Sequence, residues 1–276
     1  MSRIKLILRS DDAGMFHSKN KAIAELAEFG LIKNVSVMAP APYVDEAYKL
    51  FGKRTDICFG MHGTITSEWD GLKIGPLTAL KRDGGLVDEK GHFLWACELF
   101  KETKPAVENI IAEFDAQLKK LRAVGFNIAY VDTHMLPEFQ IPGMFAAVSE
   151  WAKKNGLIDH VHYYTLGNMD FWQPASLEKT NARYKNLAEG QWFQVTHPSV
   201  ESPENDLMYN LKYPKKTKEE KEESGIISEY EYFKSPRTAE LFKELGITTV
   251  RYDEAEPLPY NVFIKAYQGL AAAKKE

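Results

Sequence analysis

Seven short apolar runs, most of them followed by a helix-patterned stretch, recur along this chain. Residues 4–9, 34–38, 56–64, 127–134, 160–164, 192–197 and 247–252 read as strands. Residues 18–29, 43–51, 107–124, 142–154 and 237–245 place apolar side chains at helical spacing, and Gly30, Gly125 and Gly156 supply stops. Residues 176–187 read as a further helix and 261–273 as a closing one. Such alternation makes a parallel sheet covered by helices, an α/β fold. About seven units favour a (β/α) barrel, an incomplete one, over a doubly wound open sheet. No Gly-x-Gly-x-x-Gly follows the first strand, which argues against a dinucleotide site.

Residues 1–276 are expected to form one barrel domain with loop insertions near 70–105 and 200–232. A core of that size stands without disulfides. The charge run at 215–223, KKTKEEKEE, reads as a solvated helix or loop. A net charge of −4 and a pI near 6.0 give no electrostatic case for nucleic acid. No stretch is apolar for long enough to span a membrane. Lys5 and Arg9 interrupt any signal-peptide core, and Cys58 and Cys97 belong to no metal-binding pair. The expected location is cytoplasmic, and a homo-oligomer stays open.

The polar residues collect where strands end. Asp11 and Asp12 close the first, His62 the third, Asp132 and His134 the fourth, and His197 the sixth. In a parallel barrel these ends converge on one mouth, where catalytic side chains gather. Asp11 and Asp12 alone fit a helix cap as well as a site. One carboxylate with two imidazoles suits a divalent transition ion with positions left for water. Adjacent acids can then divide the work, one holding the ion and the other facing water. No nucleophile elbow, Walker A loop or His-Glu-x-x-His helix competes with that reading.

Taken together, Asp11-Asp12-Ala13-Gly14, Gly60-Met61-His62 with Thr64 and Thr66, Asp132-Thr133-His134 and His197-Pro198 resemble the YdjC/ChbG-type carbohydrate deacetylases. SEWD at 67–70, and His17 with Asn20, are similar to one branch of that family. The resemblance implies a distorted seven-stranded barrel of the polysaccharide-deacetylase type. It implies a divalent metal, zinc or magnesium, on Asp12, His62 and His134, with Asp11 as base and His197 as acid. Many members carry a second histidine two residues beyond the equivalent of His134; this chain has Leu136.

The implied reaction removes an N-acetyl group from an amino sugar or oligosaccharide. Asp11 takes a proton from water, and His197 returns one to the leaving amine. His17, Asn20, Trp69 and Arg237 are the candidate substrate contacts, Trp69 as a stacking surface. Two alternatives stand beside it. One is another metal-assisted sugar or phosphosugar hydrolase, for which Arg9, Arg237 and Arg251 are the candidate phosphate contacts. The other is a barrel that binds glycans without catalysis.

Overall fold

β1 (Ile4–Ala13) separates two cores. Leu6 and Leu8 face outward, into the layer shared with Ala22, Ile23 and Leu26 of α1 (His17–Phe29). Ile7 faces inward and packs with Cys58, Tyr130, Phe193 and Tyr252. The period of two in a strand produces this sorting. Both faces are buried, so the strand reads as a continuous apolar run rather than an alternating one. Arg9 and Asp11 continue the inward row.

The computed structural model describes residues 3–79, 84–163, 177–212 and 226–259. After α1 come β2 (Asn34–Val37), α2 (Val44–Phe51), β3 (Cys58–Gly63) and a short α3 (Phe100–Thr103). The chain continues through α4 (Val107–Val124), β4 (Ile128–Thr133), α5 (Met144–Lys154) and β5 (Ile158–Asp159). α6 (Leu177–Lys185), β6 (Gly190–Thr196), α7 (Ile226–Lys234), α8 (Pro236–Leu245) and β7 (Ile247–Thr249) complete the described elements. All strand pairs are parallel, in the order β5-β4-β3-β2-β1-β6, with β7 also on β1. Among the described residues β5 and β6 do not pair, so the barrel is distorted and open on that side. No described helix is long and apolar enough to cross a membrane.

One expected strand is displaced. Of the expected residues 160–164, His160–His162 forms a 3-10 turn and residue 164 lies outside the described residues; the strand is Ile158–Asp159. The Asp159 carboxylate accepts from the Val161 backbone at 3.1 Å and curls the chain. The first strand also runs past residue 9, through both acids to Ala13. The candidate helix 261–273 and the charge run 215–223 lie outside the described residues.

The irregular stretch after β3 is held by α4. Glu113 accepts from Leu77 N, Thr78 N and Thr78 Oγ1 at 2.6–2.9 Å. Gln117 both accepts from Thr64 N at 3.0 Å and donates to Thr64 O at 2.7 Å. Both side chains are fully buried, which explains why polar residues sit on that face of the helix.

β1 has three neighbours, because β7 pairs with its start and β2 with its end. Asn34 fills the fork. Its amide donates to Leu8 O at 3.2 Å and Val250 O at 2.9 Å, and its carbonyl accepts from Tyr252 N at 2.9 Å. Asn34→Ala would strand these buried backbone groups, at about 1–3 kcal/mol for each one left unpaired. The expected loss is about 3 kcal/mol or more in urea unfolding, and an unchanged midpoint would remove the fork from the account of stability.

Candidate functional site

The mouth is built on a bulge. Ser10 pairs with Val35 and Ala13 with Val37, so β1 carries one extra residue at Asp11–Asp12. Asp12 has φ 63°, a left-handed conformation that Asp tolerates better than most residues. Neighbours on a regular strand point to opposite faces. The bulge instead aims both carboxylates into the barrel end. Gly14, at φ 95°, closes the turn, and its N–H donates to Asn20 Oδ1 at 2.8 Å.

Three ligand-type atoms meet there. Asp12 Oδ1 lies 3.4 Å from His62 Nε2 and 3.4 Å from His134 Nδ1, and the two nitrogens are 3.1 Å apart. All three residues are buried. The outer nitrogen of each ring has a carboxylate: Asp132 on His62 Nδ1, and Glu68 on His134 Nε2 at 2.9 Å. These partners assign the tautomers, so the inner nitrogens present lone pairs to each other. Asp12 Oδ1 is buried without a hydrogen bond. Two lone pairs and a carboxylate oxygen converging on one point require a positive charge between them, and a divalent cation fits that donor set.

Protonation answers the same need when no cation is bound. Burial alone would lower the His62 pKa, but Asp132 and Asp11 push it up to about 9. Burial also opposes charge on His134, and Glu68 with Asp12 outweighs it to raise that pKa well above the ordinary value. Burial would raise the Asp12 pKa; the Lys19 Nζ, 3.2 Å from Oδ2, and the two imidazoles hold it well below the usual range.

Asp11 is clamped. Arg9 donates to it through Nε at 2.6 Å and another guanidinium nitrogen, Nη2, at 2.7 Å. The same guanidinium reaches Asp132 Oδ2 at 3.0 Å and the Tyr252 hydroxyl at 3.1 Å. Asp132 is also bonded by Ser36 Oγ, which contacts Tyr130 OH at 2.8 Å. Burial opposes ionisation of Asp132, yet Arg9 and His62 keep its pKa lowered.

The other predicted residues spread around this centre. His197 is half-buried just past β6; its N–H donates to Glu229 at 2.5 Å, and its carbonyl lies 3.5 Å from Lys19 Nζ. Asn20 is fully buried and ties Gly14 to Tyr43 O and Glu46, a framework position. His17 is half-exposed, 2.7 Å from Glu46 and against the Tyr43 ring. Trp69 is partly buried against the core, between Glu68 and Asp70. Arg237 is exposed on the first turn of α8, and no described contact joins it to the triad. Arg9 is 3% exposed and saturated by acids, and Arg251 is paired with Asp253, so neither is a free phosphate contact. Leu136 follows Met135 in a left-handed turn at φ 54°. Glu138 does not replace the second histidine, because it is bonded to Thr133 and His160.

The model of the YdjC-like protein family matches residues 5–244. The chain belongs to the YdjC family. A carbohydrate deacetylase of Thermoanaerobacter pseudethanolicus is 31% identical over 129 residues, 47% of this chain and 49% of that protein. A chitooligosaccharide deacetylase of Proteus mirabilis is 24% identical over 153 residues, 55% of this chain and 56% of that one. The matches thus span about half the length of these curated relatives. A crystal structure from Enterococcus faecalis V583, named for cellobiose-phosphate cleavage, superposes with TM-score 0.71 at 20% identity. It covers 92% of this chain and 99% of its own, and so shares the fold.

Within this YdjC fold, the sequence does not announce Lys19, the bond from Glu68 of the SEWD stretch to His134, or the structural role of Arg9. Lys19 lay four positions before Ile23 and seven before Leu26, on the apolar stripe of α1, which is the one signal of its burial. With no cation at the triad, a His62 pKa of about 9 lies above the ordinary 6.5. The stability it contributes is therefore complete below pH 6.5 and lost as pH rises through about 9. The urea midpoint is expected to fall across that window, and His62→Asn to flatten the fall; parallel curves would contradict the linkage.

Proposed function

We propose that the chain is a metal-dependent hydrolase that removes an N-acetyl group from an amino sugar or oligosaccharide. One observation carries the reading. Asp12, His62 and His134 present three donor atoms within 3.4 Å of one another, with a carboxylate on the far nitrogen of each ring. The family membership and the names of the curated relatives support the substrate class.

When bound, a divalent ion supplies Lewis acidity toward an acyl oxygen and lowers the pKa of water. Two imidazoles favour zinc over magnesium. Asp11 adjoins the triad and is the base. Each of its oxygens accepts one Arg9 hydrogen bond and keeps a lone pair for a water proton. The fork-shaped grip fixes the carboxylate's plane, so little reorganisation precedes proton transfer. His197 is the acid. Its backbone is anchored by Glu229 just past β6, and its half-buried imidazole is the group to protonate the leaving amine. Partly buried Trp69 is the stacking surface for a sugar, and exposed His17 lies beside Tyr43. The phosphosugar alternative loses support because Arg9 and Arg251 are taken by acids.

Acetate release from a panel of N-acetylated sugars tests the activity. Asp11→Asn is expected to lower kcat by about 10²–10⁴-fold with the metal retained. Full activity in that variant would remove the base assignment. His62→Ala and His134→Ala are expected to lose the metal by elemental analysis, and unchanged content would remove the ligand set. Because the cation-free triad holds protons near neutrality, zinc uptake is expected to release protons at pH 7 and to tighten as pH rises toward 9. Calorimetry in buffers of different ionisation enthalpy reads this directly.

A further inference from the structure

A lysine on the buried face of a helix, beside a ligand carboxylate, calls for a reason. Lys19 is 2% exposed. Its Nζ lies 3.2 Å from Asp12 Oδ2, the oxygen turned away from the triad, and 3.5 Å from His197 O. Burying an ammonium is costly unless it is paired, and here Asp12 is the pairing group. An apolar residue would satisfy the packing of α1 at lower cost, since Ile23 and Leu26 follow on the same stripe.

The consequence falls on the cation site. Asp132 is balanced by Arg9 and His62, and Glu68 by His134, so Asp12 is the carboxylate left to face an incoming ion. Lys19 cancels the charge of that carboxylate and occupies its second oxygen. Asp12 is left with Oδ1 alone, the buried atom without a hydrogen bond. Hard, oxygen-seeking ions depend on carboxylate charge, whereas imidazole-bound ions such as zinc depend less on it.

We propose that Lys19 is a positioning residue that sets which cation the triad accepts: it holds Asp12 to one oxygen, neutralises it, and so biases the site toward zinc and against manganese or magnesium. The inference rests on the assignment of Asp12, His62 and His134 as ligands. It is a statement about equilibrium preference and needs no turnover.

Competition against a chromophoric chelator gives the Kd of Zn²⁺ and of Mn²⁺ for the wild-type chain, Lys19→Met and Lys19→Gln. Methionine removes both the charge and the hydrogen bond at similar length. Glutamine keeps a donor for Oδ2 and removes only the charge. In Lys19→Met the affinity for Mn²⁺ relative to Zn²⁺ is expected to rise about tenfold or more, because Asp12 regains its full charge and its second oxygen, on which oxygen-seeking ions depend more than imidazole-bound ones. Lys19→Gln is expected to move the ratio in the same direction by less, and it decides the matter if the methionine variant does not fold. A ratio that stays constant or falls, while the wild-type chain binds one ion, overturns the role of Lys19 and leaves the ligand set standing. A wild-type chain that binds neither ion overturns the ligand set, and this inference with it.

Discussion

Two acids share one guanidinium at the top of this barrel. Arg9 grips Asp11 with two hydrogen bonds and reaches Asp132 at 3.0 Å with the remaining nitrogen. Without that charge, two carboxylates would stand buried with little to compensate them, and at least one would take up a proton. The fork also sets directions. Asp132, held by Arg9 and Ser36, fixes the His62 ring, and His62 in turn faces His134 across 3.1 Å. The chain of dependence runs from an inward residue of the first strand to the last imidazole of the triad. Arg9 also lies over the Phe193 ring, 5.1 Å from its centre, so the apolar interior and the polar mouth meet at one side chain.

Much of this could be read from the chain before any coordinates. Strands ending in Asp11–Asp12, His62 and Asp132-Thr133-His134 do deliver those groups to one mouth, because parallel strands in a barrel share their C-terminal side. The bulge was not visible. A strand with one extra residue has the same composition as a regular one, and its register depends on which neighbour it meets. The roles of Lys19 and Glu68 were not visible for a related reason. Each is defined by a partner on another segment, Asp12 for Lys19 and His134, 66 positions away, for Glu68. The misplaced fifth strand reflects local competition, since the Asp159 side chain offers Val161 N a partner that a sheet neighbour would otherwise supply.

The surroundings of the triad separate into fixed and accessible parts. Asn20 is spent on the turn beneath Asp12, and Glu138 on Thr133 and His160. His17, His197 and Trp69 keep some exposure at the rim. The segment after β6 closes over the same region: Asn210 donates to Glu68 O at 2.6 Å, and Asp70 N donates to Tyr209 O at 2.7 Å. Glu68 therefore touches the triad through its side chain and this segment through its backbone. Exposed Tyr209 and Leu211 stand on that segment.

The anchoring of residues 64–78 by α4 has a consequence for how such a chain can diverge. A loop is ordinarily the easiest part of a barrel to exchange, since it joins two elements and answers only to them. Here the fittings of the loop, Glu113 and Gln117, are encoded some forty residues downstream, on a helix whose other face belongs to the apolar core. A loop transplanted from a relative would arrive without its moorings, and the helix left behind would bury a carboxylate with nothing to hold. Variation at this rim must then proceed by paired change across two distant segments, which makes the loop a slow-moving part of the molecule despite its irregular form.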